Sequence, residues 1–302
     1  MAIRKLVWIG FIVAWAVLLP AWNVAGGTTK SDHGKTPASK EAILLVAFGT
    51  SVPEAMKAFD AIEARVREAF PGVEVRWAYT SKIVRDKLRK QGKVLDDPAS
   101  ALARMLDERF THIVGASLHT IPGEEFHDLY RDVEAFKGMS GSHGTKIVVS
   151  WPLLTSPEKM ETVAKGVLNH VPKSRKPQDA VILMGHGSEH HPADAAYAAM
   201  NYWIQGIDSN LFVATVAGQP QLKDLISGLK NKGIKKAYLM PLMLVAGDHA
   251  RNDMCGDEKK SWKSILEAEG IQVQCELKGT GEMPEVVNVW VDNIRAAYDR
   301  LK

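Results

Sequence analysis

Three residues of this 302-residue chain combine metal-ligating chemistry with a common local setting: His186, His249 and Glu125. His186 stands between Gly185 and Gly187, directly after the apolar run Ala180–Met184, and the two glycines strip away local bulk so that a substrate can approach the imidazole. His249 lies just past another apolar run, in Ala246-Gly-Asp-His-Ala-Arg-Asn-Asp253, and Glu125 past a third, in Pro122-Gly-Glu-Glu125. Two imidazoles and a carboxylate suit a borderline divalent ion such as Co²⁺, Fe²⁺, Ni²⁺ or Zn²⁺. The three are too far apart along the chain to form a local ligand motif, so only tertiary structure can unite them. A lone histidine after a strand is more often a hydrogen-bonded structural residue.

Other histidines carry open alternatives. His190 and His191 open a helix, where they either line the site or cap and solvate that helix. His119 is a candidate support for Glu125. His127 reads as a solvated helix position, and His112, His143 and His170 as peripheral. Rival chemistries lack their frames: Gly185-His-Gly-Ser188 is not a nucleophile elbow, and neither a dinucleotide fingerprint nor a P-loop is present. The basic run Lys82, Arg85, Lys87, Arg89 and Lys90 either meets substrate carboxylates or forms an ordinary solvated face.

The elements that must position these residues alternate. Continuous apolar runs over Ala42–Phe48, Val73–Tyr79, His112–Leu118 and Lys146–Leu154 predict strands, with helices over Pro53–Phe70, Ser81–Lys90, Pro98–Phe110 and Glu125–Phe136. The second half repeats the grammar: strands over Ala180–Met184, Leu211–Val216, Lys236–Val245 and Ile271–Leu277, and helices over Ala193–Ile204, Leu222–Lys232, Lys259–Glu269 and Pro284–Leu301. Such alternation predicts an α/β fold with parallel sheets flanked by helices. In parallel sheets ligands bind beyond the carboxyl ends of the strands, which is where all three candidates fall.

An internal repeat is legible. Ala42–Thr50 aligns with Ala180–Ser188, placing Phe48 opposite His186, and Ser117–Glu125 aligns with Pro241–His249, placing Glu125 opposite His249. Two similar α/β domains, 42–155 and 156–302, are therefore expected to face one another across a cleft.

The N-terminus is different material. Arg4 and Lys5 precede the apolar run Leu6–Leu19, followed by Pro20 and the small residues Ala25, Gly26 and Gly27. This order predicts a secretory leader over 1–27, with an uncleaved anchor as the alternative, then a flexible tether over 28–41 that contains His33. The protein is accordingly expected in the periplasm, touching a membrane only through an uncleaved leader. A formal charge of +3 gives no argument for nucleic acid, and a homo-oligomer is compatible with the chain. Cys255 and Cys275 can pair in an oxidising compartment, although two cysteines make no disulfide framework, and the pairing stays open. Cys255, six residues past His249, reads as a small buried or idle thiol, with a soft metal ligand as the alternative.

These residues resemble the sirohydrochlorin cobaltochelatases of the CbiK type, within the class II tetrapyrrole chelatases that include ferrochelatase. The resemblance is carried by Leu44–Ser51, by Ser117–His119 with Gly123–Glu125, by Met184–Gly187 with His190 and His191, and above all by Met240–Ala250 with Asn252–Met254. It implies two similar α/β domains with the active site between them, metal held by His186, His249 and Glu125, and insertion of Co²⁺ or Fe²⁺ into a planar, multi-carboxylate tetrapyrrole in cobalamin or porphyrin synthesis. The metal is then a substrate, and no organic cofactor is expected. The leader departs from the family's usual cytoplasmic setting. The alternative reading is a periplasmic binding protein for metal or tetrapyrrole, without turnover.

Overall fold

The computed structural model describes residues 39–139, 144–188 and 190–302. The expected leader, nearly all of the tether, and His33 and His143 lie outside the described residues. Ser39–Lys302 forms one unit, and no helix among the described residues is long and apolar enough to cross a membrane.

Among the described residues, eight strands form two four-stranded parallel sheets. The first contains β1 (Glu41–Ala47), β2 (Glu74–Tyr79), β3 (His112–Ser117) and β4 (Lys146–Val149), in the order β2-β1-β3-β4. The second contains β5 (Ala180–Gly185), β6 (Leu211–Thr215), β7 (Lys236–Pro241) and β8 (Gln272–Cys275), in the order β6-β5-β7-β8. The two orders are identical once four is added to each number, as the sequence repeat requires. The helices are α1 (Lys57–Ala69), α2 (Lys82–Lys90), α3 (Pro98–Asp107), α4 (Glu124–Met139), α5 (Pro157–Leu168), α6 (Ala195–Ile207), α7 (Leu222–Asn231), α8 (Trp262–Ala268) and α9 (Pro284–Tyr298).

Strand side chains alternate between faces, and here each face has its own core. Ile43, Leu45 and Ala47 of β1, and Val181 and Leu183 of β5, point into one shared central core with α1, α5, α6 and α9. Ala42, Leu44 and Val46 pack on α3 and α4, while Ala180, Ile182 and Met184 pack on α7 and α8. The helix α9 ties the two halves. Its Trp290 indole donates to the His119 carbonyl, and its Asn293 donates to the carbonyls of Trp151 and Pro152 in the first half.

Several boundaries move. The β4 and β7 ladders stop at Val149 and Pro241 rather than at Leu154 and Val245, and β8 spans Gln272–Cys275 rather than reaching Leu277. Apolar character runs past the ladder ends because Leu153, Leu154 and Leu242 leave the sheet and enter the central core. The strand-helix alternation does not anticipate α5, although Ser156 caps it, Pro157 opens it and Met160, Val163, Ala164 and Val167 recur at helical spacing. The open pairing is resolved: Cys255 and Cys275 form a disulfide, because β8 carries Cys275 alongside the segment that follows His249, so Cys255 is neither an idle thiol nor a metal ligand.

Candidate active site

The structure unites two of the three candidates directly. The rings of His186 and His249 lie 4.7 Å apart, centroid to centroid, in an edge-to-face arrangement. Two imidazoles bound to one ion through nitrogen at about 2.0–2.1 Å place their centroids roughly 5 Å apart, so this separation matches a shared ion.

Their tautomers are set by their surroundings. His186 Nδ1 lies 2.8 Å from the Gly187 carbonyl, which can only accept, so Nδ1 carries the proton. His249 Nδ1 lies 2.7 Å from Asp253 Oδ2 and likewise donates. Both rings therefore keep their lone pair on Nε2, the form a metal requires. The Asp253–His249 arrangement is the carboxylate–imidazole pairing that fixes ring orientation and raises ligand basicity in metal sites.

Local chain geometry places each ring. His186 follows β5 directly, and its carbonyl is held by the Ala217 amide at 2.8 Å. Gly185 must be glycine because a Cβ there would lie 2.4 Å from the buried Tyr197 ring. Gly187 has φ +79°, and a Cβ would meet the Gly218 backbone at 2.7 Å. His249 opens a π-helical turn, His249–Met254, which brings Asp253 onto its ring. Such turns occur mostly as short insertions, frequently at functional sites.

Glu125 lies in the first turn of α4, partly buried, while its neighbour Glu124 is exposed. Burial raises the Glu125 carboxyl above the ordinary carboxylate range; the charges of Asp128 and Glu124 act in the same sense and His186 opposes them. The Thr80 hydroxyl also favours the ionised form, but it is buried beside the carboxylate without closing a hydrogen bond of ordinary geometry. Glu125 thus stands within electrostatic reach of His186. Among the described residues, no three His, Cys, Asp or Glu side chains are already gathered at ligating distance.

Other candidates sort differently. His119 is covered at the end of β3: Nδ1 pairs with the Ser117 hydroxyl at 2.9 Å, Nε2 has no partner, and burial lowers its pKa to about 4. His191 both caps and lines. Its Nδ1 accepts from the Ala193 amide, and its ring lies 4.9 Å from His127, which is exposed but faces the second half rather than open solvent alone. His112 pairs with Thr111 and His170 with Glu285. The basic run is mostly paired: Lys82 and Arg89 bind Asp86, Arg85 covers the carbonyls at the end of β2, and Lys87 reaches Asp248 at 3.8 Å. Asp253, which holds the His249 ring, is the candidate site residue that sequence reasoning missed. Its signal is the i, i+4 spacing to His249, legible only once that segment is read as helical.

Comparison with known proteins gives the family and the fold. The chain is 39% identical over 282 residues to the sirohydrochlorin cobaltochelatase CbiKC of Nitratidesulfovibrio vulgaris, covering 93% of this chain and 98% of that protein. It is 33% identical over 262 residues to the sirohydrochlorin cobaltochelatase of Salmonella typhimurium, covering 86% and 97%. Its fold is similar to that of the sirohydrochlorin chelatase SirB from Bacillus subtilis subspecies spizizenii in complex with cobalt, with TM-score 0.58 at 14% identity over 86% of this chain and 96% of that one. The family described as Cobalt chelatase (CbiK) matches residues 41–299, and the chain belongs to it.

Proposed function

We propose that this protein inserts a divalent metal, Co²⁺ or Fe²⁺, into sirohydrochlorin or a closely related tetrapyrrole. The observation that carries the reading is the His186–His249 pair, with both lone pairs on Nε2 and a ring separation that fits one ion. Relatives over nearly the whole chain are cobaltochelatases, which favours turnover over a binding protein that never releases its metal into a ring.

The reaction exchanges a hydrated dication and two pyrrole protons for a metal-bound ring and two released protons. The imidazoles replace water on the ion as it dehydrates, and the cleft holds ion and ring in register. Glu125, with its carboxyl pushed upward by burial, is a better acceptor for a pyrrole proton than an exposed carboxylate. As the ion passes to the ring, an imidazole regains its lone pair and can take the second proton. Metal insertion into free sirohydrochlorin, followed by absorbance, tests this. A protein that binds metal and ring yet never joins them is a carrier.

The proposed compartment is the periplasm. The leader-like order of residues 1–27 supports it, and so does the Cys255–Cys275 disulfide, since such bonds persist in oxidising compartments. Mass spectrometry of the native product is expected to show loss of roughly the first 25 to 30 residues. An intact chain in the cytoplasm overturns the compartment.

A further inference from the structure

A second imidazole pair lies beside the first and has a different hydrogen-bond character. His127 on α4 and His191 after β5 face each other at 4.9 Å between centroids, close to the 4.7 Å of His186 and His249. They line a depression of about 430 Å³ together with Glu124, Tyr130, Arg131 and His190, with walls from both halves. Both walls adjoin candidate site residues along the chain: His127 is two residues from Glu125, and His191 five residues from His186.

Separation alone would suggest another ion, but the tautomers argue otherwise. His127 Nδ1 donates to the Gly123 carbonyl at 3.1 Å, leaving a lone pair on Nε2. His191 Nδ1 accepts from the Ala193 amide at 3.1 Å, so its neutral ring carries the proton on Nε2. An ion needs lone pairs from both rings. This pair instead offers one donor and one free ring nitrogen, and a carboxylate that binds together with one proton matches it: one oxygen accepts from His191 Nε2–H, and the proton taken up from solvent is shared between the other oxygen and His127 Nε2. Glu124 and Arg131 line the depression with opposite charges, and Arg131 is held by Asp128, so no net charge there selects a free anion and the carboxyl is better held as part of a larger ligand already bound nearby. An apolar shelf adjoins the depression. Trp151, 52% exposed, lies against Phe126 at 5.7 Å between ring centroids.

We propose that the His127–His191 pair is a subsite for one carboxyl side arm of the macrocyclic substrate, orienting the ring's edge while its centre lies at His186 and His249. The proposal rests on the chelatase reading. Two variants test it: His191→Asn, which keeps an oxygen to cap the Ala193 amide but cannot reach into the depression, and His127→Leu. Uroporphyrin I, a ring bearing acetate and propionate arms, is titrated against intrinsic fluorescence, and Co²⁺ is titrated by calorimetry.

Each variant is expected to weaken uroporphyrin binding about tenfold or more, the effect of losing a hydrogen bond to a charged or acidic group, with Co²⁺ affinity unchanged. Variants that bind uroporphyrin as the native protein does overturn the subsite alone. Loss of Co²⁺ affinity with ring binding intact overturns it in favour of a metal site. A native protein that binds no uroporphyrin overturns the subsite and the tetrapyrrole reading together.

Discussion

Asp253 Oδ2 accepts from His249 Nδ1 at 2.7 Å, four residues apart on one π-helical turn. The carboxylate fixes the ring beside His186, keeps the lone pair on Nε2 and makes that nitrogen a better ligand. Removing it in Asp253→Ala is expected to lower Co²⁺ affinity by about 10–100-fold. Asp253→Asn, which keeps an acceptor oxygen without the charge, should fall between. Calorimetric Co²⁺ titration decides, and unchanged affinity in the alanine variant would mean that the contact is incidental.

His186→Ala and His249→Ala are each expected to abolish metal insertion without unfolding the chain, because neither ring packs in a core. Circular dichroism and the insertion assay together separate the cases. Near-normal turnover in either variant removes that residue from the site.

Glu125→Gln keeps the shape of the side chain and removes its charge. Turnover should drop sharply while tetrapyrrole binding is largely retained, and Glu124→Gln should be milder. The native acceptor must be ionised, so the rate should fall with decreasing pH through a pKa above the ordinary carboxylate range, the direction burial imposes. That acidic limb should be absent from the residual activity of Glu125→Gln. Identical pH profiles for the two proteins would remove Glu125 from proton transfer.

His119 ties stability to pH. Its folded pKa is depressed to about 4 by burial, against an unfolded value of about 6.5, so the unfolded chain takes up a proton that the folded chain refuses. The contribution is fully present above the unfolded pKa and is lost as pH falls toward the folded one. Urea unfolding should show about 2 kcal/mol less stability from this group at pH 5 than at pH 8. His119→Leu should remove that part of the slope, and a slope as steep as the native one assigns it to other groups.

The Cys255–Cys275 disulfide closes a loop with a sequence separation of 20 and fixes the chain just past His249 and Asp253. Replacing both cysteines by serine is expected to cost about 2–4 kcal/mol in unfolding free energy. Because Cys255 directly follows the π-helical turn, Co²⁺ affinity should weaken as well. Full retention of both properties would make the bond dispensable to site and fold.

The sequence by itself determined the parallel α/β class, since strands buried on both faces leave continuous apolar runs and the helices between them keep their own period. The duplication was legible too, because β1 and β5 carry nearly the same run up to Phe48 and His186. The candidate ligands were proposed from strand-end position and from resemblance over Met240–Ala250. Only the tertiary structure decided that His186 and His249 meet, since their approach depends on how two sheets pack through one central core. It alone showed which ring nitrogen each histidine presents, because that is set by partners such as the Gly187 carbonyl and the Asp253 carboxylate. It also paired two cysteines whose pairing stood open and returned α9 to the first sheet, both long-range contacts that leave no local period to read.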